Sequence, residues 1–344
     1  MFEQATQLLD DAKKIVVIQA ENPDGDSLGS ALALEEILSD LGKDVVLYCA
    51  IDIPKYMHYI RGWDRVVKDW PHDADAAVLV DTTSPLLLVK TLEASGVTQF
   101  LESHGVLVID HHQETAHGLP FSHTALIDDR AVATGQVIYE LARHNHWDIN
   151  ATAAEQLFIA IQSDSLGLTT PNTTADSYRV AAELVAAGAE PATIENRRRE
   201  YMKKPAEILT YKGELISRIE YHLEGKLATV HIPWEDIEEY SDRYNPSVLV
   251  IDEMRLVDTV EVAIALKTYP GMHRLIPHLE RSDHASFWEA GIPALAFVTV
   301  NDARLVVDTP LDRARFVNFA NLTRQTHLLS ALLHHALSRE DLFP

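Results

Sequence analysis

Five aspartates and two histidines, grouped in four short stretches, are the residues of this sequence whose types and spacing could do chemistry. Asp24 and Asp26 sit in "NPDGDSLGS" (22–30), and Asp81 ends "AAVLVD" (76–81). Asp110, His111 and His112 end "GVLVIDHH" (105–112), and Asp164 closes "AAEQLFIAIQSD" (153–164). A lone aspartate after a strand ordinarily caps a turn or helix. Several acids delivered to one edge repel one another unless cations lie between them. Carboxylates mixed with imidazole suit Mn2+ or Mg2+ better than a thiolate-seeking metal. Cys49 is the sole cysteine, which excludes a cysteine-rich zinc site and an intrachain disulfide and fits a reducing compartment. A carboxylate shared between two such ions gives an arrangement that activates water against a phosphoester.

The elements that must position these residues follow from hydrophobic period. "KIVVIQ" (14–19), "DVVLYC" (44–49), "AAVLVD" and "GVLVID" (105–110) are short β-branched runs that predict buried strands. "SLGSALALEEILSDLG" (27–42) and "SPLLLVKTLEASG" (84–96) predict helices ending at glycine. Further helices are expected over 133–145, 153–164 and 174–188. Strands alternating with helices predict an α/β fold, a mostly parallel sheet with helices on both faces. In such sheets ligands gather at the carboxyl ends of the strands, where the acids fall. A charged stretch, "EPATIENRRREYMKKPAEIL" (190–209), interrupts the apolar rhythm. The expected organisation is a domain over 1–192, a linker over 193–212 and a second, smaller α/β domain over 213–344. The basic run "NRRREYMKK" (196–204) reads as a solvated helix face, with a phosphate clamp as the functional alternative. Trp63, Trp70 and Trp234 read as packing residues, with base stacking as the alternative.

"NPDGDSLGS", "VDTTS", "VIDHHQ" and "IQSDSLGL" closely resemble, in order and spacing, the metal-site motifs of the DHH phosphoesterase superfamily, over about residues 10–190. That group includes oligoribonuclease-type enzymes, RecJ-type exonucleases, cyclic-dinucleotide phosphodiesterases and manganese inorganic pyrophosphatases. The resemblance implies that Asp24 holds a first metal, Asp26 a second, and Asp81 bridges them, with His111 and Asp164 completing the second site. It implies that His112 lies against the reacting phosphate and that Asp110 orients a histidine. Gly29 and Ser30 follow the family's "GS" and are expected to bring backbone N–H groups near an anion. One position departs: where relatives carry a ligand histidine, four residues before the first motif aspartate, this chain has Ala20. Gln19 or Glu21 substitutes, a water fills the place, or the first metal site is weak or empty.

The far end departs further. The family's glycine-rich "GGGH" loop is missing, and "RSDHASFWEAGIPALAF" (281–297) with residues 308–337 resembles the end of a zinc aminopeptidase domain. Arg281 and His284 are the substrate-contact candidates there. The expected activity is hydrolysis of phosphodiester or phosphomonoester bonds in short oligonucleotides or nucleotides, with two Mn2+ ions, Mg2+ being the alternative metal. The alternatives are a catalytically impaired nucleotide-binding module and a metallo-aminopeptidase. A net charge of -23 opposes long duplex nucleic acid and anionic membranes. No apolar run is long enough to span a bilayer, and the start "MFEQATQLLDDAKKIVVI" lacks a basic leader, so a cytoplasmic location is expected. A homodimer is compatible with the pattern.

Overall fold

The computed structural model describes residues 2–112, 118–240 and 244–267 of the 344-residue chain. Five strands form one sheet: β1 (Lys14–Gln19), β2 (Asp44–Tyr48), β3 (Ala76–Val80), β4 (Gly105–Asp110) and β5 (Thr124–Ile127). Their order is β2-β1-β3-β4-β5, and every pairing is parallel. Period-two alternation sends successive side chains to opposite faces. Ile15, Val17, Val78, Val80, Leu107 and Ile109 enter one apolar core, while Val16, Ile18, Ala77, Leu79, Val106 and Val108 enter another. Both faces are therefore covered, which is why these strands read as unbroken apolar runs.

The first core packs against α1 (Phe2–Asp11), α2 (Gly25–Asp40), α5 (Thr134–His144), α6 (Ala151–Asp164) and α7 (Ala175–Ala186). The second packs against α4 (Val97–Ser103), which follows the five-residue α3 (Val89–Glu93). Trp70 belongs to that second core, edge-on to Tyr48 and Phe100, and Trp63 stacks on His58 at 3.5 Å. Neither is free to stack a base.

The single helix expected over 84–96 is instead a 3-10 turn (Pro85–Leu87), then α3, then a left-handed Gly96 that opens α4. The cause lies outside the segment. Glu21 donates its N–H to the Leu87 carbonyl, and its carboxylate accepts the Thr91 N–H at 2.8 Å, so the chain is pinned after β1.

The chain divides into two compact units between Lys203 and Lys204, inside the 193–212 stretch. Helix α8 (Pro191–Tyr201) ends the first. Its basic run is neutralised locally: Arg198 and Arg199 both bind Glu195, and Arg197 binds Glu155 and the Tyr59 carbonyl. A free phosphate clamp is not what these guanidiniums form.

The second unit holds α9 (Ala206–Ser217), β6 (Glu220–His222), β7 (Leu227–Ile232), α10 (Trp234–Tyr240), α11 (Pro246–Arg255) and β8 (Val262–Lys267). Strand β7 pairs antiparallel with β6 and parallel with β8. Ile208, Tyr211, Leu215, Val230 and Val250 fill its own core. Arg281, His284 and the aminopeptidase-like stretches lie outside the described residues. Among the described residues, no helix is long and apolar enough to cross a membrane.

Candidate metal centre

Helix α2 begins where β1 ends, and Asp24 is its N-cap. One carboxylate oxygen of Asp24 accepts the N–H groups of Asp26 and Ser27, each at 2.9 Å. The cap leaves Asp26 in the first turn, fully buried, aimed at the start of α5. There its two oxygens accept the N–H of Thr134 at 2.6 Å and of Gly135 at 3.0 Å, and Ser30 donates its hydroxyl at 2.9 Å. Asp26 thus satisfies two of the amides that every helix start leaves unpaired.

Asp81 follows β3 with φ of 62°, in the left-handed region that a non-glycine residue occupies only at a cost. Continued alternation would send its side chain to the face opposite Val80. The left-handed turn instead brings the carboxylate to the α5 side, where it accepts the Thr134 hydroxyl at 3.0 Å.

At the end of β4, Asp110 is buried, and one of its oxygens gathers three donors. These are the N–H of His111 at 2.7 Å, the N–H of His112 at 3.1 Å and His112 Nδ1 at 2.8 Å. Beside it, His111 Nδ1 lies 3.3 Å from the Ala131 carbonyl, which can only accept, so Nδ1 carries the proton. His111 Nε2 then faces three carboxylates with no hydrogen-bond partner: Asp26 at 3.7 Å, Asp81 at 3.7 Å and Asp164 at 3.6 Å.

A bare imidazole nitrogen surrounded by carboxylate oxygens is repulsive unless a cation sits among them. Burial, with the charge of His112 added, pushes His111 down to about 4, so His111 itself takes up no second proton near neutrality. Two ligands each about 2.1 Å from an ion stand roughly 3.0–3.4 Å apart, according to coordination geometry. The observed spacings are only slightly wider. Asp26, His111 and Asp164 offer atoms that all lie within 4.8 Å of one another, as do Asp81, Asp110, His111 and His112. The donor set fits a hard or borderline divalent cation.

The carboxylates carry the same strain. Burial, then the charges of Asp26 and Asp24, pushes Asp164 up to about 8 and Asp81 well above the carboxylate range. Asp26 is pushed by burial to about 6, held back by the α5 amides. Asp164 also occupies the last turn of α6, the end of a helix that disfavours an anion. His112 goes the other way. Burial opposes its charged form, but the Asp110 hydrogen bond and charge outweigh it and hold the imidazolium to about 9. That histidine is about a quarter exposed, whereas His111 is sealed.

Most residues expected at the centre converge. Asp24 stands apart, exposed, with one oxygen spent on the cap and no atom in either cluster, although its charge reaches Asp81 and Asp164. Gly29 and Ser30 require correction. Both are buried inside α2, past its four unpaired amides; Gly29 faces α6 and the Ser30 hydroxyl is bound to Asp26. They space and orient the acid and present no N–H to an anion. Thr134, Gly135 and the Ala131 carbonyl escaped sequence reasoning, because nothing local in "AVATGQ" signals partners 20 residues away for Ala131 and more than a hundred away for Thr134 and Gly135.

A family model described as the DHH family N-terminal domain matches residues 14–161. The bifunctional oligoribonuclease and PAP phosphatase NrnA of Thermus thermophilus is 28% identical over 228 residues, covering 65% of this chain and 64% of that protein. A probable manganese-dependent inorganic pyrophosphatase of Lactobacillus gasseri is 29% identical over 181 residues, covering 50% of this chain and 54% of that one. The chain thus spans about two thirds of the first relative's length and about half of the second's. A crystal structure of an exopolyphosphatase-related protein from Bacteroides fragilis shares the fold, with a TM-score of 0.66 at 19% identity over 77% of this chain and 79% of that one. By motif order and family model, residues 14–161 match the N-terminal domain of the DHH family.

Proposed function

We propose that this protein is a metal-dependent phosphoesterase that hydrolyses short oligonucleotides or nucleotides, using two Mn2+ ions with Mg2+ as the alternative. The observation that carries the reading is the partnerless Nε2 of His111 facing the buried carboxylates of Asp26 and Asp81 and the partly buried one of Asp164. The oligoribonuclease, phosphatase and manganese-dependent pyrophosphatase names of the relatives support it.

Asp26, His111 and Asp164 would hold one ion, and Asp81 would share it with a second near Asp24. Bound there, divalent cations would neutralise phosphoryl charge and lower the pKa of water so that hydroxide is available as the nucleophile. The chain supplies the rest. Asp110 fixes the His112 ring through Nδ1 and keeps it protonated, which leaves Nε2 to donate to a phosphoryl oxygen or leaving group. Ser30 and the α5 amides hold Asp26 in one orientation, so the cluster needs little rearrangement. The acidic charge and single cysteine support a cytoplasmic setting.

The test is release of inorganic phosphate from 3′-phosphoadenosine 5′-phosphate and of mononucleotides from short RNA, with and without added Mn2+. Mn2+-dependent release that Asp81→Ala abolishes is the expected result. Full activity in that variant, or no release from either substrate, overturns the reading. The second reading, nucleotide binding without turnover, is favoured by the methyl of Ala20 at a position where the family resemblance implies a ligand; tight nucleotide binding without release would establish it.

A further inference from the structure

Gln19 closes β1 with its side chain completely buried, and neither its amide oxygen nor its amide nitrogen has a hydrogen-bond partner. A buried amide left bare on both atoms costs several hydrogen bonds' worth of desolvation. Evolution does not ordinarily leave such a group under a tightly packed sheet without a ligand for it.

Its place in the fold says which ligand. Strand alternation puts Gln19 on the same face as Ile15 and Val17, the face covered by α2, α5 and α6. Asp26 and Asp164 stand on α2 and α6. Across the sheet Gln19 pairs with Val80, and the next residue is Asp81, whose left-handed backbone turns its carboxylate to this same side. The two obvious neighbours of Gln19 are already accounted for. Ala20 has a methyl, and Glu21 is engaged by Thr91. The bare amide therefore sits at the strand end where the carboxylates of the metal centre converge.

We infer that Gln19 is a metal ligand: its side-chain carbonyl oxygen occupies a coordination place on the divalent cation held by Asp81. Its NH2 then donates to a carboxylate of the same cluster. An amide oxygen is a hard donor suited to Mn2+ or Mg2+, and being neutral it adds no repulsion to a site already crowded with acids. This inference rests on the reading of the cluster as a divalent-cation site.

The experiment is Mn2+ titration by calorimetry, with thermal denaturation of metal-free and Mn2+-loaded protein, for the wild type, Gln19→Leu and Glu21→Gln. Gln19→Leu keeps the volume and removes both bare atoms. It should weaken Mn2+ binding by roughly 10-fold or more, the scale on which ligand-shell changes act. The metal-free variant should melt higher than metal-free wild type, because an unpaired buried amide has gone. The rise in melting temperature on adding Mn2+ should shrink. Glu21→Gln should leave Mn2+ affinity unchanged. Equal Mn2+ affinity in wild type and Gln19→Leu overturns the inference alone and assigns the amide to a buried water. No Mn2+ uptake by wild type overturns both this inference and the phosphoesterase reading. Should Gln19→Leu fail to fold, a crystal structure of the Mn2+-loaded wild type decides: Oε1 at about 2.2 Å from the ion supports the assignment, and an amide remote from the ion refutes it.

Discussion

The two adjacent histidines of "DHH" are chemically opposite, and the opposition is produced by one aspartate and one carbonyl. Ala131 fixes the His111 tautomer and leaves Nε2 as a bare lone pair, while Asp110 makes His112 a cation. A lone pair suits a metal; a cation suits a phosphate. The linkage sign for His112 follows. Its folded value is raised, so its stabilising contribution is complete below the ordinary histidine value and fades as pH rises through about 9. If protonated His112 assists the reaction, wild-type activity should hold to about pH 9 and then decline. Asp110→Asn keeps an oxygen for the backbone donors but removes the charge, so the decline should move towards the ordinary histidine value near 6.5. At pH 8 only about 3% of an ordinary histidine is protonated, so the variant should lose roughly 30-fold in activity there and much less at pH 6. A pH–rate profile of both proteins at saturating Mn2+ checks this; an unshifted alkaline limb would remove His112 from the proton-donor role.

At the scale of elements, the centre depends on how closely helices α2, α5 and α6 approach. A Cβ built on Gly29 would fall 2.7 Å from the Gln156 carbonyl oxygen and 3.1 Å from the Ala160 nitrogen, both backbone atoms of α6. One on Gly135 would strike the Ala160 side chain at 2.6 Å. These glycines serve close packing, and the packing sets the distance between Asp26 and Asp164. Gly29→Ala should therefore cost about 1–3 kcal/mol, the usual range for overpacking a core, and weaken Mn2+ binding although it touches no ligand. Denaturant unfolding with a Mn2+ titration measures both; stability lost at unchanged affinity would separate packing from the site.

Much of this architecture was legible because its signals are local. Apolar runs of five or six residues gave β1, β3 and β4, and "NPDGDS" before a helical pattern gave the capped start of α2. The broken helix at 84–96 and the true roles of Gly29 and Ser30 were illegible for one shared reason. Each is decided by a partner far along the chain: Glu21 for the first, α6 for Gly29, and for Ser30 the α5 amides that fix the Asp26 it binds. A sequence period reports which face is buried and is silent about what lies against it.

Over the whole molecule, the acids held above their ordinary range make cation uptake a proton exchange. With Asp26 near 6 and Asp164 near 8, protons compete with metal throughout the physiological window. Mn2+ affinity should rise steadily from pH 6 to about pH 8.5 and level off above it, with proton release visible as a dependence of the calorimetric heat on buffer ionisation enthalpy. A flat affinity over that range would mean that the carboxylates are already ionised without metal. Because cation binds the folded form, saturation at 100 times the dissociation constant should stabilise the first unit by about 2.7 kcal/mol. Chelation with EDTA should lower its melting temperature correspondingly.

The left-handed backbone of Asp81 adds a consequence for the lifetime of the protein. A copy without its cation bears both the conformational cost at Asp81 and the mutual repulsion of the acids, with nothing to offset either. Such a copy should open more often just after β3, where the chain runs into a 3-10 turn and a five-residue helix. Proteases that cut open forms would then remove unloaded copies faster than loaded ones, sorting the population by metal content. Limited proteolysis should cleave the EDTA-treated protein near residues 82–96 at least several-fold faster than the Mn2+-loaded protein. Asp81→Gly, which accepts the left-handed turn freely and removes one acid, should resist cleavage without metal and gain little from Mn2+. In such a variant, loaded and unloaded copies would no longer differ in lifetime.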